Sequence, residues 1–277
     1  MPSLRQVIQQ THHTLEASDI PDARLEAEVM VMNVMQMPRH DLFAQQEAEV
    51  GPQQEQELAE FMVRRMTREP LAYILGYREF YGVNLLVNPD VLIPRPETES
   101  LVEHALFMAL MGMESPELVI ADVGTGTGAV AINLAIHLAA ARIYAIDNFD
   151  PVLDVTSYNV RSHNVSDRVT LLKGDLLEPL PESVDLVVAN LPYLPTSRIP
   201  TLQPEIQWEP THALDGGPDG TECHTTDREP DLTVSAADLG AAFIGGVKFR
   251  TMYHAGRIEE NANGALKRAD AMFNTDR

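Results

Sequence analysis

Four consecutive residues in the second half of the chain have the types and spacing needed to hold a planar nitrogen: Asn190, Leu191, Pro192 and Tyr193. The nitrogen of a primary amide is a poor nucleophile because its lone pair is delocalised, so a reaction there depends on positioning. The Asn190 side-chain oxygen can accept one N–H, and the Leu191 carbonyl can accept the other. Pro192 restrains the residue before it, and Tyr193 can stack on the planar group. We predict that these residues are catalytic; the alternative for the motif alone is a strand that ends in a polar turn.

A glycine-rich turn precedes this motif, and Asp122 and Val123 lead directly into it. Glycines let the backbone turn sharply and let a ligand approach closely. The G-x-G-x-G spacing differs from the G-x-G-x-x-G of dinucleotide sites, and Asp122 would suit a cationic ammonium group better than a pyrophosphate. The expected cofactor contacts are therefore Asp122, Gly124, Thr125, Gly126, Thr127 and Gly128. The alternative is an ordinary tight turn from strand to helix.

Two acidic residues follow later strands. Asp147 ends the next apolar strand, about twenty residues after the glycines, where a carboxylate can accept hydrogen bonds from ribose hydroxyls. Asp175 follows the third strand, where it can contact the edge of an adenine ring. Each acid taken alone could be a solvated strand end. Together they favour an adenosine ligand, so we predict that both bind a cofactor.

Strands and helices alternate from residue 118 onward, which predicts a parallel sheet with right-handed crossovers. The predicted strands are 118–123, 143–146, 169–172 and 184–189, and the predicted helices are 128–140 and 151–163. Ligands of such sheets bind at the carboxyl ends of the strands, so the glycines, the two acids and Asn190 should surround one site. The predicted class is α/β, doubly wound.

The first 70 or so residues have helical periodicity instead. Helices are predicted over 3–18, 21–35 and 52–68, with Leu25 and Met66 among the side chains expected to face inward. Such a domain is either a plain bundle or a substrate-docking module, and periodicity does not separate the two. Short strands are predicted at 80–83 and 84–87, followed by a helix that starts near Pro96 and ends at Met111.

Composition restricts the function classes. The formal net charge is -21, from 41 acidic and 20 basic residues, and such a surface repels phosphate backbones, so no direct nucleic-acid binding is expected. The single cysteine, Cys223, excludes an intrachain disulfide and fits a reducing cytoplasm. We find no signal peptide and no membrane span, and no ligands at zinc spacing. We therefore predict a cytoplasmic protein without a membrane partner or a metal, and the oligomeric state stays open.

Three segments around the glycine turn resemble those of the release factor glutamine N5-methyltransferases. They are residues 75–80 (Leu-Gly-Tyr-Arg-Glu-Phe), residues 91–99 (Val-Leu-Ile-Pro-Arg-Pro-Glu-Thr-Glu) and residues 190–193. The resemblance covers roughly residues 1–220. It implies a Rossmann-like class I methyltransferase domain preceded by a small all-helical domain that helps to grip a peptide-chain release factor.

The same resemblance implies S-adenosyl-L-methionine as the cofactor, bound by the glycine turn, Asp147 and Asn190. It implies that Asn190 to Tyr193 hold a glutamine that the release factor presents in a Gly-Gly-Gln loop. The family more often has Pro where this chain has Leu191, but the relevant group is the carbonyl. The implied domains are 1–72 for docking, 73–117 for a hairpin and linker helix, and 118–220 for the cofactor.

The likeness stops after residue 220, where the family should continue with a helix, a Pro-Gly-Gly turn and further strands. Residues 221–277 are polar and weakly patterned instead. One hypothesis is a frameshift near residue 221, which would leave an atypical, poorly ordered tail and an incomplete sheet. The activity of this chain is in question for that reason.

Three other functions remain open at this point. A close relative of the family could methylate a glutamine in a ribosomal protein, because both substrates present the same amide. An adenine-N6 methyltransferase for nucleic acid would share the motif, although the charge weighs against it. The third is a non-catalytic or damaged protein that keeps the methyltransferase fold, which the altered tail favours.

Overall fold

The chain forms two compact units in a computed structural model that describes residues 1–111, 117–218, 232–234 and 258–260. The first, here called the helical unit, comprises Met1–Tyr77 and Leu202–Glu209. The second, here called the sheet unit, comprises Arg78–Thr201 and the described part of Pro210–Arg277. No helix in these described ranges is long and apolar enough to cross a membrane.

The helical unit packs five helices around an apolar core. They are α1 (Leu4–Ala17), α2 (Ala23–Met35), α3 (Arg39–Ala44), α4 (Pro52–Met66) and α5 (Leu71–Leu75). The first helix begins where the Gln6 side chain accepts a hydrogen bond from the Ser3 backbone N–H at 2.9 Å, which satisfies a donor that the helix leaves open. Pro52 suits the first position of α4 because it has no N–H to satisfy there.

The inward face of α2 differs from the predicted one. Leu25 is 51% exposed, while the helix buries its other side through Ala27, Met30, Val31 and Val34. Apolar residues occupy both sides of this helix, so their spacing does not fix which side faces the core. Met66, also expected to face inward, is 43% exposed at the end of α4.

Arg65 is the charged centre of the helical unit. Its guanidinium is 3% exposed and donates to Glu26 at 2.6 Å and to Glu205 at 3.0 Å. Burial alone would lower the pKa of Arg65, but its bonds to the two carboxylates outweigh burial and raise it. Arg68 donates to the same Glu205 at 3.2 Å. These bonds hold the 202–209 segment within the unit.

The sheet unit begins with a hairpin of β1 (Tyr77–Phe80) and β2 (Val83–Leu86), followed by α6 (Glu97–Met111). The turn falls at Tyr81 and Gly82, both at positive φ. The first strand lies three residues earlier than the sequence predicted, and the second lies one residue earlier. Four strands and two helices alternate after it: β3 (Val119–Val123), α7 (Ala129–His137), β4 (Arg142–Asp147), α8 (Asp150–Ser162), β5 (Val169–Lys173) and β6 (Leu186–Ala189).

These four strands form one parallel sheet in the order β5-β4-β3-β6. Every residue of β3 is buried, and all but Asp122 are apolar, as expected for a central parallel strand covered on both faces. The α/β class and the helical N-terminal domain predicted from the sequence are confirmed. A separate antiparallel pair joins β7 (Leu232–Val234) to β8 (Ile258–Glu260).

The register of the sheet places the predicted site residues at one edge. Val123 pairs with Ile146 on one side and with Ala189 on the other. The residues that follow these partners are Gly124, Asp147 and Asn190. The three residues therefore lie at the same edge of the sheet, as the parallel class predicted.

We expect Arg65→Met to destabilise the helical unit by about 3–5 kcal/mol, because the change leaves half-buried Glu26 without its counter-charge and Glu205 with Arg68 alone. Urea unfolding of the full chain would measure this, followed by the fluorescence of Trp208. This is the single tryptophan of the chain, and it lies in that unit.

Arg5→Met is the matched control. Arg5 pairs with Glu47 at 2.8 Å, but the two side chains are 55% and 76% exposed, so its loss should cost under about 1 kcal/mol. Equal stability of the two variants would contradict the role assigned to Arg65.

Candidate active site

A cavity of about 360 Å³ lies at the carboxyl edge of the sheet. The ends of all four strands contribute to it, and so do two loop segments, 90–92 and 212–216. This volume falls within the range of small-molecule sites, which is roughly 300–1,000 Å³. Of the predicted residues, those that line the cavity are Gly124, Gly126, Asp147, Asp175, Asn190, Leu191 and Pro192.

The glycine turn has the backbone shape that only glycine adopts at little cost. Gly124, Gly126 and Gly128 have φ values of 69°, 56° and 80°, in the left-handed region. A Cβ on Gly124 would lie 2.9 Å from Leu191 Cδ2. The missing side chain thus lets the predicted substrate loop approach the predicted cofactor loop.

Side chains of α8 donate hydrogen bonds to the backbone of the glycine turn. Thr156 Oγ1 donates to the Gly126 carbonyl at 2.6 Å, and Asn159 Nδ2 donates to the Thr127 carbonyl at 2.9 Å. Asn159 also accepts from the Leu86 N–H at 2.7 Å, so one buried amide fixes both the turn and the hairpin. The sequence analysis missed both residues, because a Thr and an Asn inside a helix carry no motif.

Asp122 has a different environment from the predicted one. Its carboxylate is buried outside the cavity lining and accepts from Thr125 Oγ1 at 2.7 Å and from the Ala131 N–H at 3.2 Å. Asp122 therefore ties the turn to the start of α7. Thr125 and Thr127 are buried too, and, with Gly128, they shape the turn without lining the cavity. Direct contact of these four with a cofactor stays a prediction.

Burial raises the pKa of Asp122 to about 6 from an ordinary 3.8. The bonds from Thr125 and Ala131 oppose this shift, and the nearby charge of Asp147 adds to it. The ionised carboxylate of Asp122 therefore destabilises the folded chain, while the hydrogen bonds that it accepts define the geometry of the turn.

Asp147 is the carboxylate placed best for a ligand. It is half-buried in the cavity wall, where Oδ2 accepts from the Gly126 N–H at 3.2 Å and Oδ1 from the Phe149 N–H at 3.3 Å. Each oxygen has a further lone pair for a hydroxyl. Asp175 is exposed at the same end of the cavity, after β5.

Asn190 is exposed at the end of β6, and its Nδ2 donates to Thr98 Oγ1 at 3.2 Å. This bond orients the amide through its nitrogen and does not use Oδ1, the atom that the sequence assigns to the substrate. Leu191 and Tyr193 are 39% and 60% exposed. Tyr193 does not line the cavity, and its stacking role stays a prediction.

The 211–217 segment completes the site, and the sequence analysis gave it no role. Leu194 donates its N–H to the Leu214 carbonyl at 3.1 Å, and Gly216 donates its N–H to the Leu194 carbonyl at 2.8 Å. Asp215 Oδ1 accepts from Thr196 Oγ1 at 2.7 Å. The family resemblance, which covers roughly residues 1–220, included this segment without assigning it a function.

The residues present fit S-adenosylmethionine. Its ribose needs a carboxylate beside a glycine turn, which Asp147 supplies, and its bulk needs the close approach that Gly124 and Gly126 allow. A Cβ on Gly126 would meet nothing within 4 Å, so this glycine faces open space. A ligand bound in this cavity would reach Asn190, which follows β6 and lines the same cavity.

We expect Asp122→Asn to change how stability depends on pH. A folded-state pKa raised to about 6 from 3.8 means that the folded chain holds this proton more tightly than the unfolded chain does. The wild type should then lose stability as the pH rises through that window, by about 3 kcal/mol in total. An asparagine can still accept both hydrogen bonds and carries no charge.

The stability gained by Asp122→Asn should therefore be near zero below pH 4 and reach its full value above pH 6. Urea unfolding at several pH values, followed by circular dichroism, measures it. Asp167→Asn, at a side chain that is 74% exposed, is the control for the buffer series. A gain that is the same at every pH would show that the charge of Asp122 is not responsible.

Three protein-family models match the chain. "PrmC N-terminal domain" matches residues 6–76, "Ribosomal protein L11 methyltransferase (PrmA)" matches residues 104–200, and "Sterol carrier protein domain" matches residues 206–277. The first covers the helices of the helical unit and the second most of the parallel sheet. The third covers the tail that the sequence analysis found atypical.

Whole-chain relatives carry a single name. A release factor glutamine methyltransferase of Moorella thermoacetica is 41% identical over 223 residues, which is 80% of this chain and 78% of that protein. One of Geobacter sulfurreducens is 36% identical over 222 residues, which is 79% of this chain and 76% of that protein. Among solved structures, a putative transferase from Pyrococcus horikoshii is 18% identical with a TM-score of 0.32, covering 45% of each chain.

The identity and coverage of these relatives agree with the resemblance carried by residues 75–80, 91–99 and 190–193. The N-terminal match adds the helical domain that the same resemblance implied. The chain belongs to the release factor glutamine methyltransferase family.

Proposed function

We propose that this chain transfers the methyl group of S-adenosylmethionine to the side-chain nitrogen of a glutamine in a peptide-chain release factor. The observation that carries the proposal is the position of Asn190 and Leu191, which follow β6 and line the same cavity as Asp147 and the glycine turn. The enzyme class and the function predicted from the sequence are confirmed by the relatives' names, and the cofactor is the one that the family resemblance implies. The target glutamine and its Gly-Gly-Gln loop rest on the family resemblance.

The chain's own residues act mainly by orientation. When bound, the cofactor supplies an electrophilic methyl group on a sulfonium. Asn190 Oδ1 and the Leu191 carbonyl accept the two N–H groups of the glutamine amide, which points the nitrogen at that methyl. Both acceptors favour the positive charge that develops on the nitrogen as the new C–N bond forms. The proton then leaves to water, since the motif contains no dedicated base.

The supporting residues keep these acceptors in place. Thr98 holds the Asn190 amide through its nitrogen, and the bonds of Leu194 to the 211–217 segment hold the chain that follows Tyr193. Gly124 leaves room for Leu191. This arrangement can raise the rate by fixing the geometry of the two reactants.

A ribosomal-protein substrate is the second candidate, and one observation bears on it. The model named for a ribosomal protein methyltransferase matches only residues 104–200. The matched region leaves out both the helical domain at 6–76 and the 211–217 segment. The named relatives match 222 and 223 residues of this chain and carry the name of a release factor enzyme, which favours the release factor.

The helical domain is the proposed docking module for that substrate. The proposed division is 1–72 for docking, 73–117 for the hairpin and linker helix, and 118–220 for cofactor binding, with 221–277 as a separate tail. The single cysteine and the acidic surface support a cytoplasmic location. Repulsion between the surface and phosphate supports a protein rather than a nucleic-acid substrate.

The tail is proposed to have a different ancestry from the rest of the chain. A frameshifted segment has no reason to match a protein-family model in its own frame, yet 206–277 matches one. The frameshift hypothesis thereby loses its support. Reading the gene in its other two frames after codon 217 tests this: a family-like ending in either frame would restore the frameshift.

We expect Asn190→Ala to lower methyl transfer to a release factor by about 100-fold or more, the usual effect of removing one oriented polar group from a site. Cofactor affinity should fall much less, because the cavity wall is otherwise intact. Thr98→Val, which removes only the support of the Asn190 amide, should give a smaller loss.

The assay follows radiolabelled methyl incorporation, with calorimetric titration of the cofactor in parallel. A release factor whose loop glutamine is replaced by alanine is the substrate control. The proposal is wrong if Asn190→Ala transfers at the wild-type rate, or if the substrate without its glutamine is still methylated. Transfer to a ribosomal protein alone would select the second candidate.

A further inference from the structure

The chain leaves the active site after the substrate loop (190–193), enters the helical unit and then returns. Thr201 is its last residue in the sheet unit, residues 202–209 belong to the helical unit, and Pro210 is again part of the sheet unit. The returning 212–216 segment lines the cofactor cavity. A piece of the helical unit is thus inserted between two parts of the site.

This stretch of chain is long for an irregular connection. From Asn190 to Gly217 its regular structure consists of three 3₁₀ turns and a bridge between Leu194 and Asp215. Loops of more than about 15 residues are uncommon in compact proteins and are usually functional. A residue held near the middle divides one long loop into two shorter ones, which have fewer conformations. The order of the substrate loop should therefore depend on what holds residues 202–209.

Apolar packing does not explain how residues 202–209 are held. None of the described residues in the buried core of the helical unit comes from this segment. Its own apolar residues are half-buried at Leu202 and Ile206 and exposed at Trp208. The N–H groups of residues 206–209 donate to carbonyls of the same segment. Polar side chains therefore supply much of the attachment.

Glu205 joins the segment to two arginines of the helical unit. Its Oε1 accepts from Arg65 Nη1 at 3.0 Å and from Arg68 Nη1 at 3.2 Å. Arg68 also donates to the carbonyls of Ser18 and Asp19, at 2.9 and 3.0 Å. Burial would raise the pKa of Glu205, but hydrogen bonds from its own N–H and from the two arginines outweigh burial and lower it. The carboxylate is therefore ionised at neutral pH.

The backbone of Arg68 shows that its side chain is needed at this position. Arg68 follows α4 with a φ of 69°, in the left-handed region where helices usually end on a glycine. A residue with a side chain is strained there, and such strain is found most often at functional sites. A glycine would fit the backbone more easily, so the arginine is explained by what its guanidinium binds.

We propose that the ion pairs of Arg65 and Arg68 with Glu205 form an anchor that keeps the substrate loop in order from a distance. The proposal rests on the proposed function, because it assigns positioning residues to the same reaction. The anchor holds the middle of the long loop, and the bonds of Leu194 to Leu214 and Gly216 then join its two halves. The three charged residues act through the chain and not on the reacting atoms.

Hydrogen exchange of the full-length chain, followed by mass spectrometry, measures the order of the loop without requiring activity. The reporters are the N–H groups of Leu194, Thr196 and Gly216, which donate within the loop. Glu205→Ala should speed their exchange by about 10-fold, the effect of losing a hydrogen bond between charged groups. Glu205→Gln keeps an oxygen that both arginines can reach, so it should restore much of the protection.

The turnover number for methyl transfer to a release factor is the second readout. It should fall by about 10-fold in Glu205→Ala, because a disordered substrate loop misplaces the groups that orient the glutamine. The KM for the release factor should change less, since the loss is one of orientation.

Glu26→Ala is the matched control. Glu26 is the other carboxylate bound to Arg65, whose Nε donates to it at 2.6 Å, but it lies on α2 and not in the loop. Its loss removes a charge partner from the same guanidinium and should weaken the helical unit comparably, as exchange in α4 reports. Exchange in the loop and the turnover number should stay at their wild-type values. Circular dichroism establishes that each variant is folded.

The outcomes separate the anchor from the proposed function. Wild-type exchange of the loop in Glu205→Ala would overturn the anchor, and so would equally fast exchange in Glu26→Ala, which would indicate a general weakening of the helical unit. Faster exchange with an unchanged turnover number would also overturn it. A wild type that transfers no methyl group to a release factor would overturn the proposed function, while the exchange rates would still decide on the anchor.

Discussion

The site depends on a glycine turn whose shape is stabilised mainly by residues outside it. Three glycines at positive φ leave the turn many alternative conformations, and each must be excluded for the cavity to exist. The exclusion comes from hydrogen bonds to residues outside the turn. The Ile146 carbonyl accepts from the N–H groups of Gly124 and Thr125 at 2.9 and 3.0 Å. Side chains of α8 donate hydrogen bonds to the carbonyls of Gly126 and Thr127. A strand end and a helix therefore fix a segment that has no regular structure.

Fixing the turn through Asp122 lowers the stability of the folded chain. A buried carboxylate with a raised pKa destabilises the folded chain at neutral pH, yet its two hydrogen bonds join the turn to α7. An apolar residue there would remove the charge and also leave the Thr125 hydroxyl and the Ala131 N–H without their acceptor. The site thus gives up some stability for a defined turn, as functional sites often do.

Strand ends could be predicted from the sequence because their signal is local. An apolar run followed by Gly124, Asp147 or Asn190 marks both the strand and the edge at which it ends, and the parallel class then places the three together. Asn159 and His212 have no such signal. Their contacts are with residues distant in the chain, Leu86 and Phe149, which only the folded structure brings close.

The predicted inward face of α2 was wrong for a different reason. Periodicity identifies a buried face only when the other face is polar, and Leu25 and Val29 make both sides of this helix apolar. The choice between them was decided by tertiary packing, which buried Met30 and exposed Leu25. The position of α2 in the chain could therefore be predicted although its inward face could not, since the helix bounds do not depend on which side is buried.

The hydrogen bonds of the site also locate where the methyltransferase part of the chain ends. The sterol carrier match begins at residue 206, but Leu214 and Gly216 are bonded to Leu194, and the Gly217 carbonyl accepts from the Thr196 N–H at 2.9 Å. A Cβ on Gly216 would lie 2.9 Å from the Tyr193 backbone, so this glycine is fitted to the substrate loop. Residues up to Gly217 therefore belong structurally to the site, which supports placing the start of the proposed separate tail after them.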